Sequence, residues 1–273
     1  MEGLQKHCPH QLIPLLKHFV IMIKNIITVV ITALTCLSCN SQQASSNSSV
    51  AQNDDVFNTK GGKQVTFTFI KHGSLEIKYD GLSIQIDPVR ELPPATDYSK
   101  FAKADFILVT HEHFDHFDKE AIATLKGEQT KIILNQRCAQ MLGEGSAMSN
   151  GDKMQLRDDI MLEAVPAYNI TPDHLKFHPK GRDNGYVLDI DGLRIYVAAD
   201  TEDIPEMAQL KDIDIAFLPC NQPFTMTPEQ LSNAARMFNP KVLYPYHYSD
   251  TPIERVKDLL KDTKIDVRLR NMK

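Results

Sequence analysis

The sequence predicts an α/β (α+β) protein folded as a four-layer αββα sandwich. The chain has 273 residues, of which 42% are apolar, and this is enough for one large domain or two small ones. Short apolar strands and helices alternate along it in two β-rich halves, each followed by helices. Two such halves fit two stacked sheets with helices outside better than they fit one parallel sheet.

The first half opens with three consecutive strands. His72-Gly73 and Asp80-Gly81 are turn signals between them, so antiparallel pairing is expected. Strands and helices then alternate. The three opening strands are predicted at Gln64–Lys71, Ser74–Tyr79 and Leu82–Ile86, later strands at Asp105–Thr110, Lys131–Leu134 and Ile160–Val165, and helices at Lys119–Leu125 and Arg137–Leu142.

The second half repeats this pattern, with a turn at Asp191-Gly192. A helix should begin after Thr227, because Thr227 can cap it, Pro228 suits the first helical position and Gln230 completes a capping box. The other strands are predicted at Gly185–Ile190, Leu193–Ala198, Ile213–Leu218, Val242–Tyr246 and Val267–Leu269, and the other helices near Ile204–Leu210 and Pro252–Leu260.

The N-terminus predicts an export signal. After Lys24 comes an apolar run that is too short to span a bilayer, and it ends at Ser38-Cys39 before the polar stretch NSQQASSNSS. The arrangement resembles a bacterial lipoprotein signal with Cys39 as the lipidated residue, and Met22 is an alternative start. We therefore expect an export segment at 1–39, a flexible polar linker at 40–62 and the globular domain at 63–273. An uncleaved anchor is the alternative.

The composition argues against a nucleic-acid partner and against a site built from cysteines. The formal net charge is −5 and no run rich in lysine and arginine occurs, so nucleic acid is not an expected partner. Only Cys138 and Cys220 of the five cysteines fall in the expected domain, and they form neither a disulfide framework nor a CxxC thiolate site. The expected partners are a small-molecule substrate and a membrane reached only through Cys39. The sequence leaves the oligomeric state open.

The segment after the strand DFILVT carries the chemistry. His111, His113 and His116 stand with two acids within the six residues 111–116. Imidazoles at i and i+2 of an extended segment point the same way, so His111 and His113 can chelate one ion. The following turn directs Asp115 and His116 towards a second position. The pattern therefore predicts a metal centre.

HxHxDH after an apolar strand resembles the signature of the metallo-β-lactamase superfamily. The resemblance runs from about Gln64 to His247 and is strongest in its lactonase-like and phospholipase D-like branches. Antibiotic-degrading members usually have cysteine where Asp200 stands. The matching segments are Phe69–Ile77, Ile86–Pro88, Ala164–Asn169, Ala198–Thr201 and Tyr244–Tyr248.

The resemblance implies two divalent ions, with Zn²⁺ as the first choice and Mn²⁺ or Fe²⁺ as alternatives. It makes Asp200 the carboxylate that bridges both ions, His247 the last histidine of the second site, and Asp115 the catalytic residue that orients the nucleophile. Asp87 would accept the free N–H of a ligating histidine and fix its tautomer. His72 is expected near the site without touching metal.

The sequence does not decide which residue supplies the third histidine ligand of the first site. The matching position is Asn169, whose amide oxygen is a poor zinc ligand. His174 and His178 can substitute, and we favour His178 because the turn His178–Gly181 comes directly before a predicted strand. A weaker first site or a different metal is the alternative.

These features predict a metal-dependent hydrolase that uses a metal-activated water on an ester, phosphodiester, lactone or amide. Tyr168, Arg182 and the loop Asn221–Thr227 are expected to shape its pocket. A nuclease would need a basic surface, and a diiron oxygen-reducing protein usually has glutamate in place of His113. A non-catalytic metal-binding surface protein that retains the fold is the alternative function.

The lipid anchor yields a direct test. Cys39→Ala should block processing or release the protein from membranes, because acyl chains on Cys39 would supply the membrane attachment. Fractionation of cells that express the full chain, with Cys36→Ala as the matched control, measures this. Normal processing and membrane association of Cys39→Ala would show that the anchor is something else.

Overall fold

Two seven-stranded sheets form the centre of the protein in the computed structural model, which describes residues 54–273. The first sheet contains β1 to β7 and the second β8 to β14, so the predicted division into two β-rich halves is confirmed. The strands are β1 (Asp54–Asn58), β2 (Gln64–Lys71), β3 (Ser74–Tyr79), β4 (Leu82–Ile86), β5 (Ala104–Val109), β6 (Lys126–Asn135), β7 (Ser146–Met148), β8 (Lys153–Arg157), β9 (Ile160–Ala167), β10 (Asp183–Ile190), β11 (Leu193–Val197), β12 (Ile215–Pro219), β13 (Val242–Tyr246) and β14 (Asp266–Val267).

Two-residue turns join antiparallel strands in both sheets. Asp80 and Gly81, between β3 and β4, have φ angles of 50° and 81°. Asp191 and Gly192, between β10 and β11, have 49° and 80°. Two consecutive left-handed residues match the twist of a hairpin, and Asp-Gly tolerates them well. The hairpins predicted from these dipeptides are confirmed.

The later strands of each sheet run parallel, from β4 in the first sheet and from β11 in the second. Helices return the chain between most of them. Because parallel strands end at the same edge, the loops that follow β4, β5, β11 and β13 gather there. The helices are α1 (Lys119–Leu125), α2 (Gln136–Leu142), α3 (Pro228–Phe238) and α4 (Glu254–Leu260).

Side-chain caps begin three of these helices. Asp118 and Asn135 accept backbone N–H groups of α1 and α2, and Thr227 and Gln230 form the predicted capping box of α3. The helix predicted near Ile204–Leu210 is instead a short 3₁₀ helix at Pro205–Gln209 without a side-chain cap. The side chain of Ile204 carries no oxygen that could accept a backbone N–H and cap a longer helix.

Burial on both faces of β5 demonstrates the layers. Phe106 and Leu108 pack in the core between the sheets, while Ile107 and Val109 pack with Ile122 of α1 in a second core. On the outer face of the second sheet, Phe238 of α3 packs edge-on against Tyr196. A strand covered on both faces reads as a continuous apolar run, which explains the sequence DFILV. The αββα sandwich is confirmed.

The start of the domain differs from the sequence prediction. Residues 54–58, assigned to the linker at 40–62, form β1 and pair with β2, so the first sheet includes part of the predicted linker. The sequence DDVFN has the polarity of a linker. However, the Asp55 carboxylate pairs with Arg268 and Arg270 and accepts a hydrogen bond from Tyr244. These partners lie far along the chain, so local sequence could not reveal the strand.

Two short strands, β7 and β8, were also not predicted, because Ser146–Met148 has only three residues and Lys153–Arg157 has only two apolar ones. β14 is shorter than the predicted Val267–Leu269. The export segment and residues 40–53 lie outside the described residues, so the predictions for them remain predictions. Within residues 54–273, no helix has the length and apolar character needed to cross a bilayer.

The Asp55 cluster should contribute measurably to stability. Asp55→Asn should lower the free energy of unfolding by about 2 kcal/mol, because it leaves two guanidinium groups without their carboxylate. Burial would raise the pKa of Asp55, but its bonds to Arg270 and Tyr244 outweigh burial and lower the pKa below 3.8. A depressed pKa contributes stability above the unfolded value, and that stability is lost as pH falls through the folded pKa.

The difference between wild type and Asp55→Asn should therefore be the same at roughly pH 7 and pH 5 and should shrink only in stronger acid. Urea unfolding at each pH measures it. Asp54→Asn is the matched control, because Asp54 is the neighbouring carboxylate on the same strand. Equal stability of Asp55→Asn and Asp54→Asn would refute the stabilising role of the cluster.

Candidate metal centre

The candidate ligands come together at one edge of both sheets. His111, His113, Asp115 and His116 follow β5, Asp200 follows β11, and His247 follows β13. His72 joins them from the turn between β2 and β3. The parallel arrangement of the later strands explains why loops distant in sequence meet here.

The first group contains His111, His113, His178 and Asp200. Each offers one ligand atom, and these atoms lie within 4.8 Å of one another. Nε2 of His111 is 3.8 Å from Oδ2 of Asp200, and Nε2 of His178 is 3.4 Å from the same oxygen. His113 is partly exposed, whereas the other three are buried. Three imidazoles and one carboxylate form a donor set suited to zinc and to other transition metals.

The second group contains His72, Asp115, His116 and His247, whose ligand atoms also lie within 4.8 Å of one another. Oδ2 of Asp115 is 3.0 Å from Nε2 of His72 and 3.5 Å from Nε2 of His247. The turn after His113 separates the motif into two parts as expected. His111 and His113 belong to one group, and Asp115 and His116 belong to the other.

Asp200 lies between the two groups. Besides its contacts with the first group, Oδ1 is 3.3 Å from Nε2 of His116 and Oδ2 is 3.2 Å from Nε2 of His247. The side chain is almost wholly buried. One carboxylate within reach of both histidine sets has the position expected of a bridging ligand.

Hydrogen bonds at Nδ1, the ring nitrogen that faces away from the cluster, orient three of the histidine rings. Nδ1 of His116 is 2.8 Å from Oδ2 of Asp87, as the sequence analysis predicted for Asp87. Nδ1 of His178 is 2.9 Å from Asp183, and Nδ1 of His111 is 2.9 Å from the Thr110 hydroxyl. Each ring thereby turns Nε2 towards the centre, the arrangement that fixes the tautomer of a ligating histidine.

Unsatisfied polar atoms support a cation at this position. Nε2 of His111, His116 and His247, together with Oδ1 of Asp200, are buried without a hydrogen-bond partner. An unpaired buried polar group costs roughly 1–3 kcal/mol, and native proteins contain few of them. Their convergence on one space fits divalent metal ions held by nitrogen and oxygen donors.

Charges in the centre are strongly coupled. Burial would raise the pKa of Asp200, but His247 and His116 outweigh burial and lower it well below its usual range. Burial would lower the pKa of His247, but Asp200 outweighs burial and raises it to about 9. Burial dominates at His111 and lowers its pKa well below 6.5. Protons and metal ions therefore compete for the same histidine nitrogens.

The first group contains His178 rather than Asn169 or His174. The Asn169 side chain donates to the backbone carbonyls of Phe224 at 2.8 Å and His174 at 3.3 Å. Nδ1 of His174 lies 2.9 Å from Glu202. Of the two histidines that the sequence left open, the structure thus brings His178 and not His174 to the first group, while the Asn169 amide N–H groups are used by backbone carbonyls.

His72 lies near the site, as expected, and closer to the candidate ligands than the sequence indicated. It belongs to the second group, and its Nε2 is 3.0 Å from Oδ2 of Asp115; whether it contacts a metal stays a prediction. Its φ of 49° is uncommon for a residue other than glycine. The next residue must be glycine, because a Cβ on Gly73 would lie 2.7 Å from Cε1 of His116. The dipeptide His72-Gly73 was the available signal: the sequence placed it in a turn near the site and did not count His72 among the ligands.

A cavity of about 490 Å³ opens onto both groups. Asn221 and Phe224, from the loop predicted to shape the pocket, line it. Tyr168 and Arg182 do not. The Tyr168 hydroxyl bonds to Glu206 and Lys180, and the Arg182 guanidinium pairs with Asp183. The expectation that these two residues shape the pocket was therefore wrong.

Sequence similarity to known proteins extends over every residue of both groups. The family model described as "Beta-lactamase superfamily domain" matches residues 66–247. A UPF0173 metal-dependent hydrolase of Thermococcus onnurineus is 31% identical over 199 residues, which cover 69% of this chain and 86% of that protein. The candidate ligands, from His72 to His247, all lie inside the range that the family model matches.

Solved structures are similar over the same region. A Parabacteroides distasonis protein with the provisional description of metal-dependent hydrolase is 57% identical, with a TM-score of 0.78, and the match covers 81% of this chain and 99% of that one. Igni18, described as a novel metallo hydrolase from Ignicoccus hospitalis, is 25% identical, with a TM-score of 0.65, and covers 76% of this chain and 95% of its own.

The two groups predict separable metal losses. With one ion expected in each group, His178→Ala should remove about one ion per chain and leave the other, because only the first group loses a ligand. Asp200→Ala should reduce both, because it also removes the negative charge that lets two cations sit close together. Elemental analysis after dialysis, with circular dichroism to monitor folding, measures this.

His174→Ala is the matched control, since His174 lies in the same segment but outside both groups. It should keep the wild-type metal content. Full occupancy in Asp200→Ala would contradict the bridging position, and equal loss in His174→Ala and His178→Ala would contradict the choice of His178.

Proposed function

Because the chain belongs to the β-lactamase superfamily, we propose that it is a metal-dependent hydrolase working with two divalent ions, Zn²⁺ first among them. The observation that carries the proposal is the position of Asp200 between two groups of ligand-type residues. His111, His113 and His178 would hold one ion, and Asp115, His116 and His247 the other. His72 is available to the second.

Two bound divalent ions would supply a water of lowered pKa and a polarised substrate oxygen. The protein residues position the reactants. Asp115 lines the cavity, where its carboxylate can accept a hydrogen bond from the attacking water and orient it. Burial would raise the pKa of Asp115, but His247 and His72 outweigh burial and hold it far below its usual range. Asp115 therefore stays ionised. It orients the water by accepting a hydrogen bond from it and is poorly suited to act as a general base.

The cavity also offers neutral hydrogen-bonding groups. Nδ2 of Asn221 is 3.2 Å from Oγ of Ser249, and both residues line the cavity beside the candidate ligands. An amide and a hydroxyl there can bind the carbonyl or phosphoryl oxygens of a substrate. A volume of about 490 Å³ suits a small molecule. The substrate classes proposed are esters, phosphodiesters, lactones and amides.

The arrangement favours an enzyme over the non-catalytic metal-binding alternative. That alternative depended on Asn169 weakening the first site. His178 takes part in the first group in its place, so three histidines and a shared carboxylate remain. An open cavity adjoins both groups, as a catalytic metal site requires.

The proposal is tested with a panel of esters, lactones, phosphodiesters and N-acyl amides. The metal-loaded protein should hydrolyse at least one class, and a chelator should abolish turnover until metal is restored. Asp115→Asn should lower kcat by about 100-fold or more if orientation of the attacking water accounts for the rate. Initial rates with metal content measured in parallel provide the readout.

Asp173→Asn is the matched control, because Asp173 is an exposed carboxylate outside both groups. It should keep wild-type kcat. A protein with two bound ions and no turnover on any class would favour the non-catalytic alternative.

A further inference from the structure

The cavity wall beyond the candidate ligands is largely apolar. Leu92, Phe114, Phe177 and Phe224 form it, and Phe114 is 79% exposed at the surface. The polar residues besides the candidate ligands are Asn221 and Ser249, both neutral. Among residues 54–273, no lysine or arginine lines this cavity.

Two of the cations close in sequence to cavity residues, Arg182 and Lys71, are engaged elsewhere. Arg182 bonds to both oxygens of Asp183 at 2.6 and 2.9 Å. Lys71 is buried, and its Nζ donates to the carbonyls of Arg90, Leu92 and Pro94. That contact anchors the loop carrying Leu92 and uses all three N–H groups of the ammonium. Neither cation is available to a charged substrate group.

Buried hydrogen bonds hold the aromatic part of the wall in place. The rings of Phe177 and Phe224 pack edge-on with centroids 5.0 Å apart. The Asn169 side chain donates to the Phe224 carbonyl, and its backbone N–H donates to the His178 carbonyl at 2.8 Å. Asn169 thus fastens both aromatic segments together. A wall fixed in this way favours ligands that match it without reorganisation.

We propose that the substrate carries an uncharged alkyl or aryl group beside the hydrolysed bond and no second anionic group. The inference rests on the proposed function for the bond that is broken. Covering Leu92, Phe177 and Phe224 with apolar carbon removes apolar surface from water and favours binding. An anionic group on the same wall would lose hydration, and none of the described residues that line the cavity is a lysine or arginine that could pair with it.

Alkyl hydroxamates, which chelate divalent ions, probe the wall without turnover. Calorimetry on the metal-loaded protein should show affinity rising about threefold to fourfold per methylene from acetohydroxamate to octanohydroxamate. A terminal carboxylate on a chain of equal length should weaken binding at least about tenfold. Equal or undetectable affinity across the alkyl series, or tighter binding of the carboxylate, would overturn the proposal.

Substitutions separate the wall from general charge effects. Phe224→Lys should reduce or reverse the discrimination against the terminal carboxylate, and Phe224→Ala should flatten the dependence on chain length. Met141→Lys is the matched control, because Met141 is 43% exposed against 42% for Phe224 and lies outside this cavity. Lys176, exposed with Nζ 5.1 Å from the Phe177 centroid, does not line the cavity, so Lys176→Ala should leave the ranking unchanged.

Different results would refute the hydrolase proposal and the apolar-wall proposal. Hydroxamates that rank by alkyl length, with no turnover on any hydrolase substrate, would refute the hydrolase and support the apolar wall. Hydrolysis that prefers substrates with a second anionic group would support the hydrolase and overturn the wall. A Met141→Lys variant that changes the ranking as much as Phe224→Lys would overturn it as well.

Discussion

The metal centre depends on the buried carboxylate of Asp87. It accepts the backbone N–H of Thr110 at 2.8 Å, the Thr110 hydroxyl at 2.7 Å and the ring N–H of His116 at 2.8 Å. Burial raises the pKa of Asp87, and these bonds offset part of the rise. A buried carboxylate without such donors would be strongly unfavourable. The loop after β5 must therefore fold against it, which sets the direction of His116 and positions the rest of the motif.

Asp200 extends this chain of polar contacts across the two sheets. It follows a strand of the second sheet but contacts histidines that follow a strand of the first. Carboxylates and histidines thus alternate from Asp87 through His116 to Asp200. Such a network is stable only when every charge has a partner, and divalent ions would supply the positive charge that the unpaired atoms lack.

The segment between β9 and β10 shows how one change in a ligand position affects the pocket. The sequence resemblance matched Asn169 to the superfamily's third histidine, whereas in the structure His178 is the third histidine of the first group. Asn169 uses its amide to fasten Phe224, which lines the cavity. Glu202 holds the same segment by accepting the N–H groups of Ile170 and Thr171 at 2.7 and 2.6 Å. The segment thereby supplies a candidate ligand and part of the apolar wall together.

Local patterns in the sequence were enough to determine the strands β2 to β4, the Asp-Gly hairpins, the capped helix α3 and the motif from His111 to His116. Periodicity, turn chemistry and capping act between near neighbours, so a single sequence expresses them. The pairing of β1 and the place of His72 in the second group were decided only by tertiary structure. Asp55 meets Arg268 and Arg270, which lie 213 and 215 residues away, and His72 meets Asp115 across 43 residues. Contacts of that separation leave no local pattern, because their partners become neighbours only when the sheets have formed.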